Sequence, residues 1–304
     1  MTSIQYINNT SLLINNGKSL LLTNPWHNKA FGKWLPSPPS FFHPSYLASL
    51  AQENKDKFSI LISNITEDSF DQKYLELFPK NVNLIVPRRE SPWLKICLQN
   101  LGFVNINEIN HRTEVNDNKI KIHPDGIITI ETLDAFIIFS GEKYSFTEQV
   151  IHSVDKHLQD YKQRSIHYGN SGDKIILAAP INVSQEDYPN IYSEYLDEES
   201  YEQILSKRVN ELYISSINIG AKYLFYFGGH ANFCTEKSNL AGYKTSNFYS
   251  KFIKEHLINK IRFINLIPGY TFDFEKLYGA FGDFNYSEET LKKNSLDFYQ
   301  KNTK

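Results

Sequence analysis

Apolar positions in this chain fall into short blocks rather than long helical stripes. Residues 4–7, 11–14 and 19–22 are three such blocks near the N-terminus. Asn15-Asn16-Gly17, between the last two, supplies residues that tolerate positive φ, which a tight reversal requires. The pattern predicts β-strands in a hairpin arrangement, ended by Thr23-Asn24-Pro25-Trp26. Residues 27–44 mix Trp34, Phe41 and Phe42 with Pro36, Pro38, Pro39 and Pro44. That composition predicts a long ordered loop, because its rings need somewhere to pack. Continuous apolar runs at 58–63 and 83–87 read as buried strands. Short helices are expected at 71–77 and at 92–100, the second closed by Gly102.

Further along, residues 104–139 alternate in short stretches, with strands expected at 119–122, 127–131 and 135–139. A polar helix is expected at 145–167, a buried strand at 173–180 and a long amphipathic helix at 198–219. Strands follow at 222–227, stopped by Gly228-Gly229, and at 262–266. Strands alternating with helices imply α/β layering. No repeat or low-complexity linker interrupts the order, so residues 1–284 read as one domain and 285–304 as a polar tail that frays.

Composition narrows the function classes. Hydrophobic residues make up 41% and charged residues 22% of the 304, enough for a large core and too apolar for a disordered chain. The net charge is −2 and opposite charges are interspersed, so no basic stripe for nucleic acid is seen. That leaves small molecules and proteins as partners, including a homo- or hetero-oligomer. Cys97 and Cys234 are isolated from each other; Cys97 sits in an apolar helical pattern and reads as a buried free thiol. No signal-peptide pattern opens the chain, and no apolar stretch approaches the ~18 residues of a membrane span. A cytoplasmic location without membrane contact is the expectation.

Three stretches carry a family resemblance. The opening hairpin runs into Leu21-Leu22-Thr23-Asn24-Pro25-Trp26, a loop with Gly32-Lys33-Trp34 and Pro38-Pro39 follows, and strand Ile60-Leu61-Ile62-Ser63 leads into Asn64-Ile65-Thr66-Glu67-Asp68-Ser69 and Phe70-Asp71. Together they resemble the metallo-β-lactamase-fold proteins, in the branch of metal-dependent hydrolase-like proteins and the non-Rieske part of CMP-N-acetylneuraminate hydroxylase. Tyr223 to Gly229 is a weaker match. The resemblance implies a four-layer αββα sandwich of the α/β class, with a site where strand ends meet loops.

Departures from the family pattern matter more. The resemblance implies His-x-His-x-Asp-His at the motif, holding two metal ions. Here Asn64, Thr66, Asp68 and Ser69 occupy those positions. Amide and hydroxyl oxygens are neutral and weakly basic, whereas zinc takes imidazole, thiolate or carboxylate. Glu142, after the run 136–141, falls near the family's bridging carboxylate, and Asn24 replaces a loop aspartate whose charge would orient the loop. No two of the nine histidines stand at a chelating helical spacing; His152 and His157 are five apart. No Cys-x-His pair exists for a Rieske cluster. Cys234, four residues after His230, reads as packing rather than a nucleophile.

The sequence reading is therefore a degenerate, pseudoenzyme-like member of the fold, with no metal centre and no cofactor. It binds a polar small molecule or a partner, or does metal-independent chemistry, in a cleft lined by His27, Asn64, Thr66, Asp68, Ser69, Glu142 and His230. Two alternatives stay open: a metal-dependent hydrolase or oxygenase-like enzyme acting on a carbohydrate or nucleotide-sugar, and a non-catalytic partner subunit.

Overall fold

A computed structural model describes residues 1–28, 34–36, 43–67, 69–88, 91–141, 145–180, 198–227, 231–233, 261–264 and 271–274. β1 (Ser3–Asn8), β2 (Ser11–Asn15) and β3 (Leu20–Thr23) form an antiparallel meander. The reversal between β2 and β3 is built as expected. Gly17 sits at φ 84°, and the Asn16 Oδ1 accepts from the main-chain N–H of Lys18 at 2.9 Å and of Ser19 at 2.7 Å.

A separate pair, β4 (Trp34–Pro36) with β14 (Ala231–Phe233), is antiparallel. From β3 the first sheet continues in parallel through β5 (Phe58–Leu61), β6 (Asn83–Pro87) and β7 (Ile106–Ile109). The crossovers carry α1 (Ser45–Glu53), α2 (Gln72–Leu75) and α3 (Trp93–Asn100). β16 (Thr271–Asp273) pairs with β1, giving the order β16-β1-β2-β3-β5-β6-β7.

In the second sheet, β8 (Arg112–Val115), β9 (Asn118–Ile122), β10 (Ile128–Glu131) and β11 (Phe136–Phe139) are antiparallel. Asn116 and Asp117, at φ 50° and 61°, make the tight β8–β9 turn. β12 (Ile175–Pro180), β13 (Tyr223–Phe227) and β15 (Arg262–Ile264) then add in parallel, with α4 (Glu148–His167) and α5 (Glu198–Asn218) in the crossovers.

Period-two alternation sorts the side chains into layers. Ile128, Ile130, Ile137 and Phe139 face the first sheet and pack with Ile4, Tyr6, Leu12 and Ile85. Phe136 and Ile138 point the other way, onto Val154, Leu158 and Leu212 of α4 and α5. On the far face of the first sheet, Leu22, Ile60 and Leu84 pack with Leu47, Leu75 and Leu98 from α1, α2 and α3. The architecture is the four-layer αββα sandwich.

Both sheets point their parallel strands the same way. Thr2, before β1, donates its main-chain N–H to Asp134, before β11, at 3.1 Å. The starts of β1 and β11 therefore share one rim, and the ends of β1, β3, β5, β11, β12 and β13 share the other. Polar staples close the starting rim: Lys174 to Asp134 at 2.8 Å, and Asn16 to Asn118 at 3.0 Å.

Several elements differ from expectation. α1 was not anticipated, although its buried Leu47, Ala48 and Ala51 are spaced for one helical face. β16 is a short edge strand without a continuous apolar run, β7 and β8 fall in the stretch 104–139 read as short strands without individual bounds for these two, and β4 lies within the segment read as loop. α2 is shorter than the expected 71–77. Cys97 is half-exposed rather than buried, because the buried stripe of α3 runs through Leu94 and Leu98. The division at residue 284 and the tail fall outside the described residues, as does Cys234. Among the described residues, no helix is long and apolar enough to cross a membrane.

Candidate functional site

The finishing rim is where the loops converge. At the end of β3, Thr23 Oγ1 donates to the Thr10 carbonyl at 3.0 Å and accepts from the Leu12 amide at 2.9 Å, tying in the β1–β2 turn. Asn24 follows at φ 39°, a conformation that Asn adopts more readily than most residues. Its Oδ1 accepts from the Ser63 main-chain N–H at 2.8 Å, and its Nδ2 donates to Ser63 Oγ at 2.8 Å. The neutral amide thus still locks the β3 exit to the β5 exit. The loop is tied without the family's charge, because an amide supplies both an acceptor and a donor.

Beyond Ser63 the chain turns through the motif segment. Asn64 Oδ1 accepts from the Ile65 N–H at 2.8 Å, an Asx-type contact with its own neighbour. The Thr66 carbonyl accepts from the N–H groups of Ser69 and Phe70 at 2.9 and 2.8 Å, which winds the segment tightly and buries Ser69. Phe70 anchors it in the apolar layer below. Asp71 then caps α2 by accepting from the Tyr74 N–H at 3.0 Å, and holds the other loop as well. Its carboxylate accepts from the main-chain N–H of His27 at 3.0 Å and of Asn28 at 2.7 Å.

His27 is half-buried with its ring 5.4 Å from that of Tyr74. Burial lowers its pKa, and His43 adds to that, while Asp71 works against it. The ring is therefore neutral at pH 7 and offers one nitrogen as an acceptor.

Four buried polar atoms on this rim have no hydrogen-bond partner among the described residues: Asn8 Oδ1, Trp26 Nε1, Thr66 Oγ1 and Ser140 Oγ. Asn8 is fixed by its other amide atom, Nδ2, which donates to the Trp26 carbonyl at 2.7 Å. Ser140 is held at the end of β11 by its N–H, which donates to the Ala178 carbonyl at 2.9 Å. Of the residues anticipated for the cleft, His27, Asn64, Thr66 and Ser69 stand on the two adjacent loops of this rim. Asp68, Glu142 and His230 fall outside the described residues. Asp71, Asn8 and Ser140 were not anticipated as site residues. The polar turn Asn8-Asn9-Thr10 and the Asp directly before a helix were the available signals.

A second polar group lies away from the rim loops, between α4 and the outer face of the second sheet. Thr129 and Glu131 alternate outward from β10 and meet His157 on the buried stripe of α4. Glu131 accepts from Arg164 at 2.7 Å and faces Lys119 at 3.4 Å; burial pushes its carboxyl up, but His157, Arg164 and Lys119 outweigh that and hold it well below the usual range. His157 Nε2 lies 3.4 Å from Glu131 at an angle short of a full hydrogen bond. Thr129 Oγ1 lies 2.9 Å from both His157 Nδ1 and His123 Nε2, and Ser153 Oγ lies 2.8 Å from His123 Nδ1, so the hydroxyls and imidazoles form one hydrogen-bonded group. Burial pushes the His123 imidazole down to about 3, with Lys121 and His157 adding to the shift. His123 and His157 are thus the histidines that meet, 5.9 Å apart ring to ring, bridged by a hydroxyl that sequence spacing does not reveal. Among the described residues, no three His, Cys, Asp or Glu side chains are grouped to share a metal ion.

No protein-family model matches the chain, and no curated protein matches it in sequence. Solved structures do match. A possible metal-dependent hydrolase from Veillonella parvula aligns with TM-score 0.58 at 13% identity, over 90% of this chain and 99% of that one. An isothiocyanate hydrolase from Delia radicum gut bacteria gives 0.52 at 14%, over 92% and 100%. CmlA, a diiron β-hydroxylase from Streptomyces venezuelae, gives 0.53 at 11%, over 90% of this chain and 54% of that one. Identities this low speak to fold and not to activity. With two mixed sheets packed between helical layers and its loops gathered at one rim, the chain has the metallo-β-lactamase fold.

Proposed function

We propose that this chain binds a polar small molecule at the loop-bearing rim, without the two-metal centre that the fold elsewhere supports. One observation carries the reading: Asn8 Oδ1, Trp26 Nε1, Thr66 Oγ1 and Ser140 Oγ are buried there with no partner among the described residues. A buried polar atom left unpaired costs about 1–3 kcal/mol. A ligand rich in hydroxyl or amine groups offers each of them a donor or acceptor. We assign His27, Asn64, Thr66, Asp68, Ser69, Glu142 and His230 to the same pocket. Neutral His27 suits a hydroxyl donor, and the two carboxylates suit an amine.

The motif's donors do not fit a transition metal. Asn64, Thr66 and Ser69 offer neutral oxygens, and Asn64 Oδ1 is already engaged by the Ile65 N–H. Zinc or iron ligation needs three or four strong donors, so no reaction step is assigned to a metal. Metal-dependent hydrolysis, in the name of the Veillonella protein, is not carried over to this chain.

The test is a thermal-shift screen of polyols, amino sugars and nucleotide-sugars on the wild type beside Ser140→Ala and Asp68→Ala. A ligand that stabilises the wild type, and each variant clearly less, supports the rim. Equal stabilisation of all three moves the site elsewhere. Stoichiometric bound zinc or iron favours a metal-dependent enzyme instead, and purification only in a hetero-complex favours a partner subunit.

A further inference from the structure

Among the described residues, β7 ends the first sheet and has a neighbour on one side only. The carbonyls of Asn105 and Ile109 accept from the N–H groups of Leu84 and Arg88 at 2.8 Å each, so alternate residues of this stretch face β6. The period of two turns the N–H and C=O groups of Ile106 and Glu108 the other way. Neither residue has a main-chain partner on that side among the described residues.

Alongside runs an open cleft of about 590 Å³, lined by Arg88, Lys95, Glu108, His111 and Arg112 among others. Glu108 is neutralised by Lys95 at 2.7 Å. Arg88 and Arg112 have no ion-pair partner among the described residues. Arg112 also lies opposite Lys121 in the β8–β9 register. Burial, then Lys156 and Arg112, lower the Lys121 pKa, and Asp160 opposes them. The cleft therefore carries uncompensated positive charge beside an open ladder. These basic residues are spread from 88 to 121, so no basic run marks them in the sequence.

Each feature excludes something different. A second copy of this edge would bring Arg88 and Arg112 against like charges, so self-pairing is disfavoured. A nucleic acid suits the charge but offers no main chain to match alternating donors and acceptors. An extended peptide does, and acidic side chains on it would meet the arginines. We propose that the free edge of β7 is a docking site for an extended acidic segment of a partner protein, which adds as a further strand with its carboxylates over Arg88 and Arg112.

Fluorescence anisotropy with the full chain and a fluorescein-labelled decapeptide of alternating Glu and Thr tests this. Saturable binding is expected, weakened roughly tenfold or more by the Arg88→Ala/Arg112→Ala double variant and by added salt. The same peptide N-methylated at alternate positions loses its pairing N–H groups and should bind at least ~10-fold more weakly. Glu108→Pro should act likewise, while Glu108→Ala retains binding, since proline is tolerated where the N–H points off the edge. If Glu108→Pro does not fold by circular dichroism, the N-methylated peptide alone decides. Absence of saturable binding overturns the proposal, as does equal binding of the N-methylated peptide. An oligothymidylate binding as tightly overturns it in favour of a general polyanion surface.

Discussion

Asp71 accepts a 3.0 Å hydrogen bond from the main-chain N–H of His27, 44 positions earlier in the chain. The same carboxylate takes the Asn28 N–H and caps α2 through Tyr74. One side chain thereby fixes both loops of the rim. Asp71→Ala leaves three partly buried main-chain donors to find other partners. The expected loss is about 2–4 kcal/mol in urea unfolding, combining a lost cap with unpaired amides. Asp71→Asn keeps one acceptor oxygen and should lose less. A change within error for Asp71→Ala would show that the loops are held by something else.

Asn24→Asp restores the residue that the resemblance implies, and it should destabilise this chain. Asn24 is 1% exposed, and its side chain bonds to Ser63 as both donor and acceptor. Aspartate keeps the bond from the Ser63 N–H but loses the Nδ2 donor and buries a charge. The backbone is indifferent, since Asp tolerates the positive φ as Asn does. At pH 7 the loss should be about 1–3 kcal/mol, shrinking in acid as the carboxyl protonates. Equal or greater stability at pH 7 would mean that the rim holds a cation next to this position.

The purified chain should contain little zinc, iron or manganese. Of the four motif positions, Asn64, Thr66 and Ser69 are neutral and only Asp68 carries a charge. Elemental analysis should give far less than one metal per chain, and a chelator should leave the thermal midpoint unchanged. Near-stoichiometric metal, removed with loss of thermal stability, would sink the metal-free reading.

How much was legible depends on what each signal measures. Buried strands such as β5, β6 and β12 show as continuous apolar runs, and the Asn15-Asn16-Gly17 turn shows as residues suited to positive φ. β7 and β8 lie in the stretch 104–139 that reads as short strands, but their bounds are blurred because exposed edges alternate weakly. α1 is hidden because its buried face is a leucine and two alanines beside prolines. At the site, the loss of the motif histidines is a plain fact of sequence. The pairing of Asn24 with Ser63, or of His123 with His157 through Thr129, joins residues 34 to 39 positions apart, a closeness that only topology supplies.

Acid should destabilise the fold, and the polar chain under α4 should account for the first part of the loss. His123 has an unfolded pKa of 6.5 and a folded value of about 3. A lowered folded pKa means that the unfolded chain binds the proton first. The stabilisation is therefore fully present above about pH 6.5 and is lost progressively as pH falls toward 3. At about 1.4 kcal/mol per pH unit, the His123 contribution should fall by about 2 kcal/mol between pH 7 and pH 5. Glu131, also depressed, adds loss in the same direction below its ordinary value of 4.5. The signs agree, so the unfolding free energy in urea should fall monotonically from pH 7 to pH 4. Thr129→Val removes the hydroxyl between the two rings, leaving His123 Nε2 and His157 Nδ1 without their shared partner. That variant should lose about 2–3 kcal/mol at pH 7. In His123→Asn the slope between pH 7 and pH 5 should flatten, since the titrating group is gone. A wild-type stability that is flat between pH 7 and pH 5, or a slope unchanged in His123→Asn, would show that the buried imidazole does not govern the acid response.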